Sequence, residues 1–442
     1  MFKKEFLFGV STAAAQVEGD DGTQGRGKSI WDTFCDEGRI YKNQTAKISV
    51  DHYNRYEEDI NLMADLGVNA YRFSTSWSRL LPEGIGAVNQ KGIDFYNRLI
   101  DTLLKKNIQP ILTLYHWDLP QALSEKGGFE NPDFVKWFTE YSALVADKYG
   151  DRLKTVISFN EPINIINSGY KSGVFAPGKQ LGDEGILKCI LHMHKAHGEC
   201  SQILRAKIKD LQLGLAVSTF EEYPVATDEK TLACAKKRFF EKDNPAESVD
   251  VYLDPLYFGE YPKRIYEKYP AFQEVAEKAD LKKYVGNTNI IGYNNYSGMP
   301  IDSRGEEVKN YLLAEYTDMC GTVDPNGMYW GIKFLTERYK SPLYITENGV
   351  ATQDWMFDDG KVHDVNRCEY LKRHLAVVSK LLEEKMDIRG YFVWSFTDNF
   401  EWIFGYSKRF GLVHINYETL KRTPKDSYYW YQEFIAKNKT TK

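Results

Sequence analysis

The chain has 442 residues, 43% of them hydrophobic and 27% charged, with a formal net charge of −5 at pH 7. This length and apolar content allow a large buried core. The charges are spread along the chain, which disfavours nucleic acid or an anionic membrane as a partner. No apolar run approaches the length that crosses a bilayer, so we expect no membrane partner.

The cysteines and the N-terminus favour a cytoplasmic protein. The six cysteines are Cys35, Cys189, Cys200, Cys234, Cys320 and Cys368. They show no C-x-x-C spacing, so we predict reduced, mostly buried thiols. Residues 1–15 resemble a signal peptide, with lysines, a short apolar run and three alanines. Glu5 interrupts this pattern, and the apolar run covers only 6–10, so a first β-strand is the better interpretation.

Short apolar runs alternate with longer helical patterns along the whole chain. Candidate strands lie near 5–11, 68–74, 108–115, 154–160, 212–218, 290–296, 342–347 and 388–394. Several are continuously apolar, which is typical of strands buried on both faces. Apolar stripes at helical spacing are Ile93, Tyr96, Ile100 and Leu103, and Leu371, Leu375, Val378 and Leu382. Asn131, followed by Pro132, is predicted to cap a helix that ends at Gly150.

This order of elements predicts an α/β protein. Eight strands alternating with helices indicate parallel pairing, and therefore a single-domain (β/α)8 TIM barrel with long βα loops over residues 1–442. The alternative is an open, doubly wound sheet. That fold predicts a glycine loop for phosphate after the first strand, and no such loop follows it.

Polar and aromatic side chains recur where the predicted strands end. They are Gln16 and Glu18, Arg72, His116, Asn160 and Glu161, Asn294 and Tyr296, Glu347, and Trp394. In a barrel of parallel strands these positions converge on one face, where active sites are built. The sequence therefore predicts one site made from most of the strands.

Two carboxylates at these strand ends indicate the chemistry. Glu161 follows the apolar run over 155–160, and Glu347 lies in PLYITENG over 342–349. Such a pair breaks a glycosidic bond when one carboxyl protonates the leaving oxygen and the other stabilises or attacks the carbon that becomes cationic. At about 5.5 Å and an effective dielectric near 20, two carboxylates repel by ~3 kcal/mol, which raises the pKa of one of them. A lone Glu at a strand end is more often ion-paired, but a whole set of polar strand ends favours catalysis.

The neighbours of each carboxylate suggest their roles. Arg72 and Tyr296 are candidates to keep Glu347 charged, and the Asn160 amide could bind a sugar hydroxyl beside Glu161. Aromatic residues concentrate near the last strand, at Trp394, Phe396, Phe400, Trp402, Phe404, Tyr406 and Phe410. Core packing explains most of them. Trp402 is the exception, because Glu401 brings a charged acceptor into the same loop and the pair suits a sugar pocket.

Six segments together identify a family. They are FLFGVSTAAAQVEG (6–19), YRFSTSWSR (71–79), LYHWDLP (114–120), FNEP (159–162), ITENG (345–349) and DNFEW (398–402). With these the chain resembles glycoside hydrolase family 1, the retaining β-glycosidases, over essentially its whole length. The resemblance implies a retaining β-glucosidase that needs no cofactor or metal. Its substrate would be a small β-glycoside or short oligosaccharide, and a homo-oligomer is compatible with it.

The resemblance also implies a role for each site residue. Glu161 would be the acid/base and Glu347 the nucleophile, oriented by Arg72 and Tyr296. Gln16, His116, Asn160, Glu401 and Trp402 would hold the sugar, with Asn294 beside them and Trp394 as the floor of the pocket. The same hydroxyl-binding residues serve glucose, galactose and fucose, so the preferred epimer is left open.

Two other functions are weighed against this one. A 6-phospho-β-glucosidase usually carries a small residue at the position of Glu401 and adds a Lys and a Tyr for the phosphate; here Glu401 would repel a phosphate. Lys408 is weak evidence, because family members of both kinds carry a basic residue nearby. A sugar-binding protein without catalysis commonly lacks one carboxylate, and both are present here.

The chain departs from the family pattern at two places. Asn295 stands where the family often has Tyr, and the loop over 317–325 lacks the Trp that often supports the leaving group. Trp355, in the next loop, is a candidate to replace it. One other pattern is discounted: His192, His194 and His197 are predicted to lie on a helix surface and not to bind zinc.

Overall fold

A closed barrel of parallel strands forms the centre of the computed structural model, which describes residues 2–309 and 314–439. The strands are Leu7–Ser11 (β1), Ala70–Ser74 (β2), Gln109–Tyr115 (β3), Thr155–Asn160 (β4), Gln212–Val217 (β5), Ile291–Asn295 (β6), Leu343–Asn348 (β7) and Ile388–Trp394 (β8). Each strand pairs with its neighbours in sequence, and β8 returns to β1, where Ser11 is opposite Trp394. The predicted (β/α)8 fold is confirmed, and the open sheet was the wrong alternative.

A helix returns the chain after every strand. These helices are His52–Leu66, Gln90–Lys105, Phe134–Tyr149, Asp183–Lys207, Val249–Tyr257, Asn326–Tyr339, Val365–Glu383 and Asp426–Asn438. The connecting loops hold the α-helices Ala14–Val17, Ile30–Asp36, Trp77–Leu80, Gln121–Glu125, Glu229–Phe240, Lys263–Lys268 and Pro270–Ala279. They also hold the 3₁₀ helices Tyr41–Asn43, Gly128–Glu130, Pro245–Glu247, Leu281–Tyr284 and Trp402–Phe404, and the π-helix Asn164–Lys171. Short strand pairs join Glu222–Pro224 to Met299–Ile301 and Val413–Ile415 to Arg422–Pro424.

The inside of the barrel is filled by side chains from most of the strands. Phe392, Ile111, Ile157 and their neighbours form a buried layer across the barrel. Gly9 leaves room for this layer, because a Cβ there would lie 2.3 Å from the Phe392 ring. The barrel is therefore a packed core, which supports the polar side chains at the carboxyl ends of the strands.

The predicted helical stripes are buried except for the half-buried Leu382, and one helix start was wrong. Ile93 and Leu103 are fully buried in Gln90–Lys105, and Leu371 and Val378 are buried in Val365–Glu383. The helix predicted to be capped by Asn131 instead begins at Phe134 and ends before Gly150. Asn131 Oδ1 accepts from the Asp133 amide at 2.9 Å, so this side chain forms a turn ahead of the helix.

The sequence predicted that His192, His194 and His197 lie on a helix surface, but only His192 is partly exposed and the other two are buried. His194 and His197 are each 1% exposed. His194 Nδ1 lies 2.7 Å from the Tyr261 hydroxyl, and His197 bonds Ser158 and Thr288. Burial lowers their pKa values to about 4 and about 3, so both are neutral core side chains. Within the described ranges there is no group of metal-ligating side chains and no helix long and apolar enough to cross a membrane.

Candidate active site

A pocket of about 350 Å³ opens at the carboxyl ends of the strands. Eight of the predicted residues line it, namely His116, Asn160, Glu161, Tyr296, Glu347, Trp394, Glu401 and Trp402. Gln16, Arg72 and Asn294 lie behind this wall and bond to residues in it. Arg72 was predicted at the end of β2, but it lies in the middle of that strand. Its side chain points into the barrel toward β7.

Glu161 follows β4 with its backbone in the left-handed region, at φ 46°. Its amide donates to the Ala216 carbonyl at 2.7 Å, which holds this strained conformation in place. The side chain accepts from Asn294 Nδ2 at 2.8 Å and from Asn164 Nδ2 at 2.5 Å. Burial and the charge of Glu347 raise the pKa of Glu161 to about 8, because two neutral amides compensate them only in part.

The Glu347 carboxylate lies in the same pocket as Glu161 but has different partners. Arg72 Nη1 donates to Oε1 at 2.6 Å, and the Tyr296 hydroxyl donates to Oε2 at 2.5 Å. Burial and the charge of Glu347 raise the pKa of Tyr296 well above its usual range, so the phenol stays a donor. One carboxylate thus faces a cation and a phenol, while Glu161 faces amides.

A hydrogen-bond network joins the two carboxylates. Asn160 Oδ1 accepts from Arg72 Nη2 at 2.6 Å and from Asn294 Nδ2 at 3.1 Å. Its Nδ2 therefore faces His116 Nε2, 3.0 Å away, and donates to it. Burial lowers the pKa of His116 well below its usual value, so the ring is neutral with its proton on Nδ1. Nδ1 has no partner among the described residues, which leaves a buried donor on a residue that lines the pocket.

Gln16 and Glu401 form a second polar corner. Gln16 Nε2 donates to the Phe400 carbonyl at 2.9 Å and to Glu401 Oε2 at 3.3 Å. Gln16 Oε1 is buried and accepts no hydrogen bond from the described part of the chain. Burial and the charges of Glu347 and Glu161 raise the pKa of Glu401 to about 8. These groups need a polar ligand to satisfy them.

Aromatic rings enclose this corner. Trp402 packs between Trp31 and Trp117, with ring centroids 4.6 Å and 4.7 Å away. Trp394 stacks on His116 at 5.6 Å, and both rings line the pocket. Rigid aromatic walls beside unsatisfied polar groups fit a ligand that has both apolar faces and hydroxyls.

Several site residues were missed from the sequence. Asn164, three residues after Glu161, lies on the π-helix that follows β4. Glu221 lines the pocket and accepts from the Tyr296 amide at 2.5 Å, and its burial raises its pKa to about 7. Glu221 directly precedes the short strand Glu222–Pro224 and gave no periodic signal, whereas Asn164 is one helical turn from a predicted catalytic residue.

The apolar side of the pocket also differs from expectation. Phe175, Phe220 and Met319 line it, together with Thr317 from the loop that lacks a Trp. Trp355 does not line the pocket and is 68% exposed, so its suggested role as the leaving-group platform was wrong.

Comparison with known proteins identifies the family. The sequence pattern of Glycosyl hydrolase family 1 matches residues 1–440. The chain is 41% identical to beta-glucosidase A of Thermotoga maritima over 99% of this chain and 98% of that protein. It is 40% identical to the 1,4-beta-D-glucan glucohydrolase of Thermotoga neapolitana over 100% and 99% of the two chains. The solved structure of a Thermotoga maritima beta-glucosidase in complex with glucoimidazole has a TM-score of 0.90 and 40% identity, covering 99% of each chain. The chain therefore belongs to glycosyl hydrolase family 1.

Proposed function

We propose that this protein is a retaining β-glucosidase that hydrolyses terminal, non-reducing β-D-glucosyl residues through a covalent glycosyl-enzyme intermediate. The observation that carries the proposal is the contrast between Glu161 and Glu347 in one pocket. Glu161 has a pKa of about 8 and is protonated near neutral pH. Glu347 is held by Arg72 and Tyr296, the partners that an ionised nucleophile requires.

In the first step, Glu161 protonates the glycosidic oxygen while Glu347 attacks the anomeric carbon. The leaving group departs as an alcohol, and Glu347 becomes an ester without charge. Glu347 then no longer raises the pKa of Glu161, although burial still does. The pKa of Glu161 therefore falls, and the carboxylate accepts a proton from the water that hydrolyses the ester. The two inversions at one carbon retain the β configuration.

The glucosyl ring is held by polar groups at the pocket. His116 Nδ1 and Gln16 Oε1 lack partners among the described residues, and they donate to one hydroxyl and accept from another. Glu401, which lines the pocket and accepts from Gln16 Nε2, accepts from a further hydroxyl. Asn160 and Asn294 position Glu161 and Arg72 around the ring, and Trp394 and Trp402 pack against its apolar faces. A glucosyl group fits this set because it has hydroxyls around its edge and C–H groups on its faces.

The phosphorylated rival is disfavoured because the pocket offers no cation for a phosphate. Glu401 lies in the pocket, and no Lys or Arg among the described residues lines it. Lys408, the nearby base, donates to the Asp318 carbonyl at 2.6 Å and to its carboxylate at 3.2 Å, and it does not line the pocket. A phosphate would therefore meet an acid and not a base at this corner. We also propose a cytoplasmic role in degrading cellobiose and short β-glucosides, which the free state of all six cysteines supports.

The test compares 4-nitrophenyl β-glucoside with its 6-phosphate and follows the first product by NMR. We expect faster cleavage of the unphosphorylated substrate and β-glucose as the first sugar released. Preference for the phosphate would favour the rival enzyme, and α-glucose would show inversion. Binding without turnover across a wide pH range would identify a sugar-binding protein.

A further inference from the structure

The proposed mechanism leaves one acid of the pocket wall without a role. Among the described residues that line the pocket, the carboxyl groups belong to Glu161, Glu221, Glu347 and Glu401. Glu161 and Glu347 take part in the reaction, and Glu401 binds the sugar. Glu221 lies after β5 and contacts the chain that follows β6. Its contacts there indicate what it does.

Hydrogen-bond donors from two consecutive residues converge on the Glu221 carboxylate. The Tyr296 amide donates to Oε1 at 2.5 Å, and Ser297 donates from its amide and its hydroxyl. Burial raises the pKa of the carboxyl to about 7, and these donors offset only part of that effect. One side chain therefore fixes two successive backbone amides directly after β6.

Glu221 itself is held in a defined position. Its backbone lies in the left-handed region, at φ 60°, which residues with a side chain rarely adopt. The Glu221 amide donates to Thr219 Oγ1 at 3.0 Å, and the Glu221 carbonyl accepts from the Met299 amide at 3.0 Å. Such a conformation persists where neighbouring groups hold it, so the carboxylate projects from a fixed base.

The carbonyl of Tyr296 is held from the other side by uncharged groups. The Tyr370 hydroxyl donates to it at 2.9 Å. Asn348 Nδ2 donates to the Tyr370 hydroxyl at 3.0 Å and to the Asn295 carbonyl at 2.7 Å. The backbone of Tyr296 is therefore anchored at its amide and at its carbonyl, and Glu221 supplies the anchor of the amide.

The side chain of Tyr296 carries this position to the nucleophile. Its hydroxyl donates to Glu347 Oε2 at 2.5 Å, and its ring packs edge-on against Phe410, with centroids 6.0 Å apart. The ring is rigid and only two torsions join it to the backbone, so a displacement of the backbone also displaces the hydroxyl. Hydrogen bonds weaken steeply when their angle changes. The contact of Glu221 with Tyr296 therefore affects the geometry of the Glu347 carboxylate.

We propose that Glu221 is a positioning residue for the nucleophile: its carboxylate holds the Tyr296 backbone and thereby keeps the phenol on Glu347. The proposal rests on the proposed glucosidase function and deepens it. A displaced phenol leaves Glu347 misaligned for attack, whatever leaving group the substrate carries. Loss of Glu221 is therefore expected to lower kcat/KM by similar factors for good and poor leaving groups, and to act on cellobiose through kcat and not through KM.

The test is a double-mutant cycle with Tyr296→Phe, which removes only the hydroxyl. It measures kcat/KM on cellobiose and on 2,4-dinitrophenyl β-glucoside for the wild type, each single variant and the double variant. In the wild-type background, Glu221→Ala should lower kcat/KM about ten- to a hundredfold on both substrates. In the Tyr296→Phe background the same change should cost less than about threefold, because no hydroxyl is left to position.

Three further variants separate the position of Tyr296 from the stability of the fold. Glu221→Gln keeps an oxygen that accepts from the Tyr296 amide, so it should lose less kcat/KM than Glu221→Ala. Glu221→Asp withdraws the carboxylate by one methylene, and it replaces Glu221→Ala in the cycle if the alanine variant does not fold. Glu229→Ala removes an exposed carboxylate between β5 and β6 and is the matched control, with no expected change in kcat/KM. Urea denaturation checks that each variant is folded.

Four results would overturn the proposal. Unchanged kcat/KM in a folded Glu221→Ala would leave the residue without a role in the reaction. An equal loss in both backgrounds would show that Glu221 acts independently of the Tyr296 hydroxyl. A loss on cellobiose that arises from KM alone would assign Glu221 to substrate binding. A loss confined to the poor leaving group would place its effect on Glu161.

Failure of the glucosidase proposal is distinguishable from failure of this one. A wild type that cleaves neither substrate rejects the glucosidase before any variant is made. Amide hydrogen exchange then tests the Glu221 contact without turnover. Faster exchange of the Tyr296 and Ser297 amides in Glu221→Ala than in Glu229→Ala would support the positioning of Tyr296 alone, and equal exchange would reject it.

Discussion

Two buried groups of charges lie behind the same face of the barrel and differ in how they are compensated. The pocket group is Glu161, Glu347 and Glu401, with Arg72 as the cation that contacts it. The ion-pair cluster is Asp354, Asp364 and Asp398 with Arg367, Arg409 and Lys425. The cluster has three charges of each sign, whereas the pocket has an excess of acid.

Buried carboxyl groups have pKa values shifted in opposite directions in these two regions. In the cluster, burial alone would raise the pKa of Asp354, but Arg367 and Lys425 outweigh it and lower that pKa to about 2. In the pocket, burial and like charge act together and raise the pKa of Glu161 to about 8. Partners, and not depth, decide whether a buried acid is ionised.

The cluster also connects the loops that carry the pocket. Lys425 Nζ donates to Asp398 Oδ1 at 2.6 Å and bonds Asp354 as well. Asp354 follows β7, and Asp398 begins the loop that holds Glu401. The ion pairs of the cluster thus hold these two loops together.

The largest expected effect comes from removing Glu347, the carboxylate that Arg72 and Tyr296 hold. Glu347→Ala should lower kcat/KM for β-glucosides by a factor on the order of 10⁵, because no carboxylate remains to attack the anomeric carbon. Added azide should yield α-glucosyl azide, since the face that the nucleophile occupied is then open. A β-configured azide, or hydrolysis at the wild-type rate, would contradict the assigned role. Glu140→Ala, an exposed carboxylate, is the control.

Removing the protonated member should depend on the leaving group. Glu161→Ala should lower kcat/KM about 10²- to 10⁴-fold on cellobiose, whose leaving alcohol needs a proton. The loss of kcat/KM on 2,4-dinitrophenyl β-glucoside should be small, because that phenol leaves without protonation. The measurement is the initial rate of the wild type and of Glu161→Ala on both substrates. Equal losses would argue against Glu161 as the acid.

The main expected effect of breaking the ion-pair cluster is on the free energy of unfolding. Lys425→Met leaves Asp354 and Asp398 buried with less compensation, and should lower the free energy of unfolding by about 3–5 kcal/mol. Lys437→Met breaks an exposed pair with Glu433 and should cost less than about 1 kcal/mol. Urea denaturation measures the free energy of unfolding of both variants. Similar losses in both variants would show that the buried cluster has no special weight.

The smallest effect tests the pKa of Glu161 through stability. Its folded pKa, about 8, lies above the ordinary value of 4.5, so the fold keeps the proton that the unfolded chain releases. The stability linked to this group is fully present below pH 4.5 and is lost as pH rises toward 8. Glu161→Gln cannot ionise and should be more stable than the wild type at pH 8, by an amount that grows as pH rises from 4.5 to 8. The two proteins should be similar at pH 4.5, and a gain that does not depend on pH would refute the raised pKa.

The strands of this molecule could be predicted because buried segments have a simple pattern of apolar residues in the sequence. Continuous apolar runs gave all eight barrel strands, and the barrel geometry then placed Glu161 and Glu347 at one face. The contact of Arg72 with Glu347 was also expected, although Arg72 reaches it from the middle of β2 and not from the strand end.

The loops and the partly amphipathic helices could not be predicted in this way. His197 is buried against the barrel, where it bonds Ser158 of β4, and His194 is buried against Tyr252 and Tyr261. Local periodicity does not record such long-range contacts. The position of Trp355 depends on the path of the loop after β7, and that of Glu221 on the path after β5. Neither path is set by contacts between near neighbours in sequence.

The closure of the barrel constrains how the protein is made. β1 can pair with β8 only after Ile388–Trp394 has been synthesised, since Leu7 lies opposite Gly390. Until then the growing chain on the ribosome carries two strands with an unpaired edge, which other chains can join. The last strand to emerge therefore ends this exposure, and a stalled ribosome would release a product prone to aggregation.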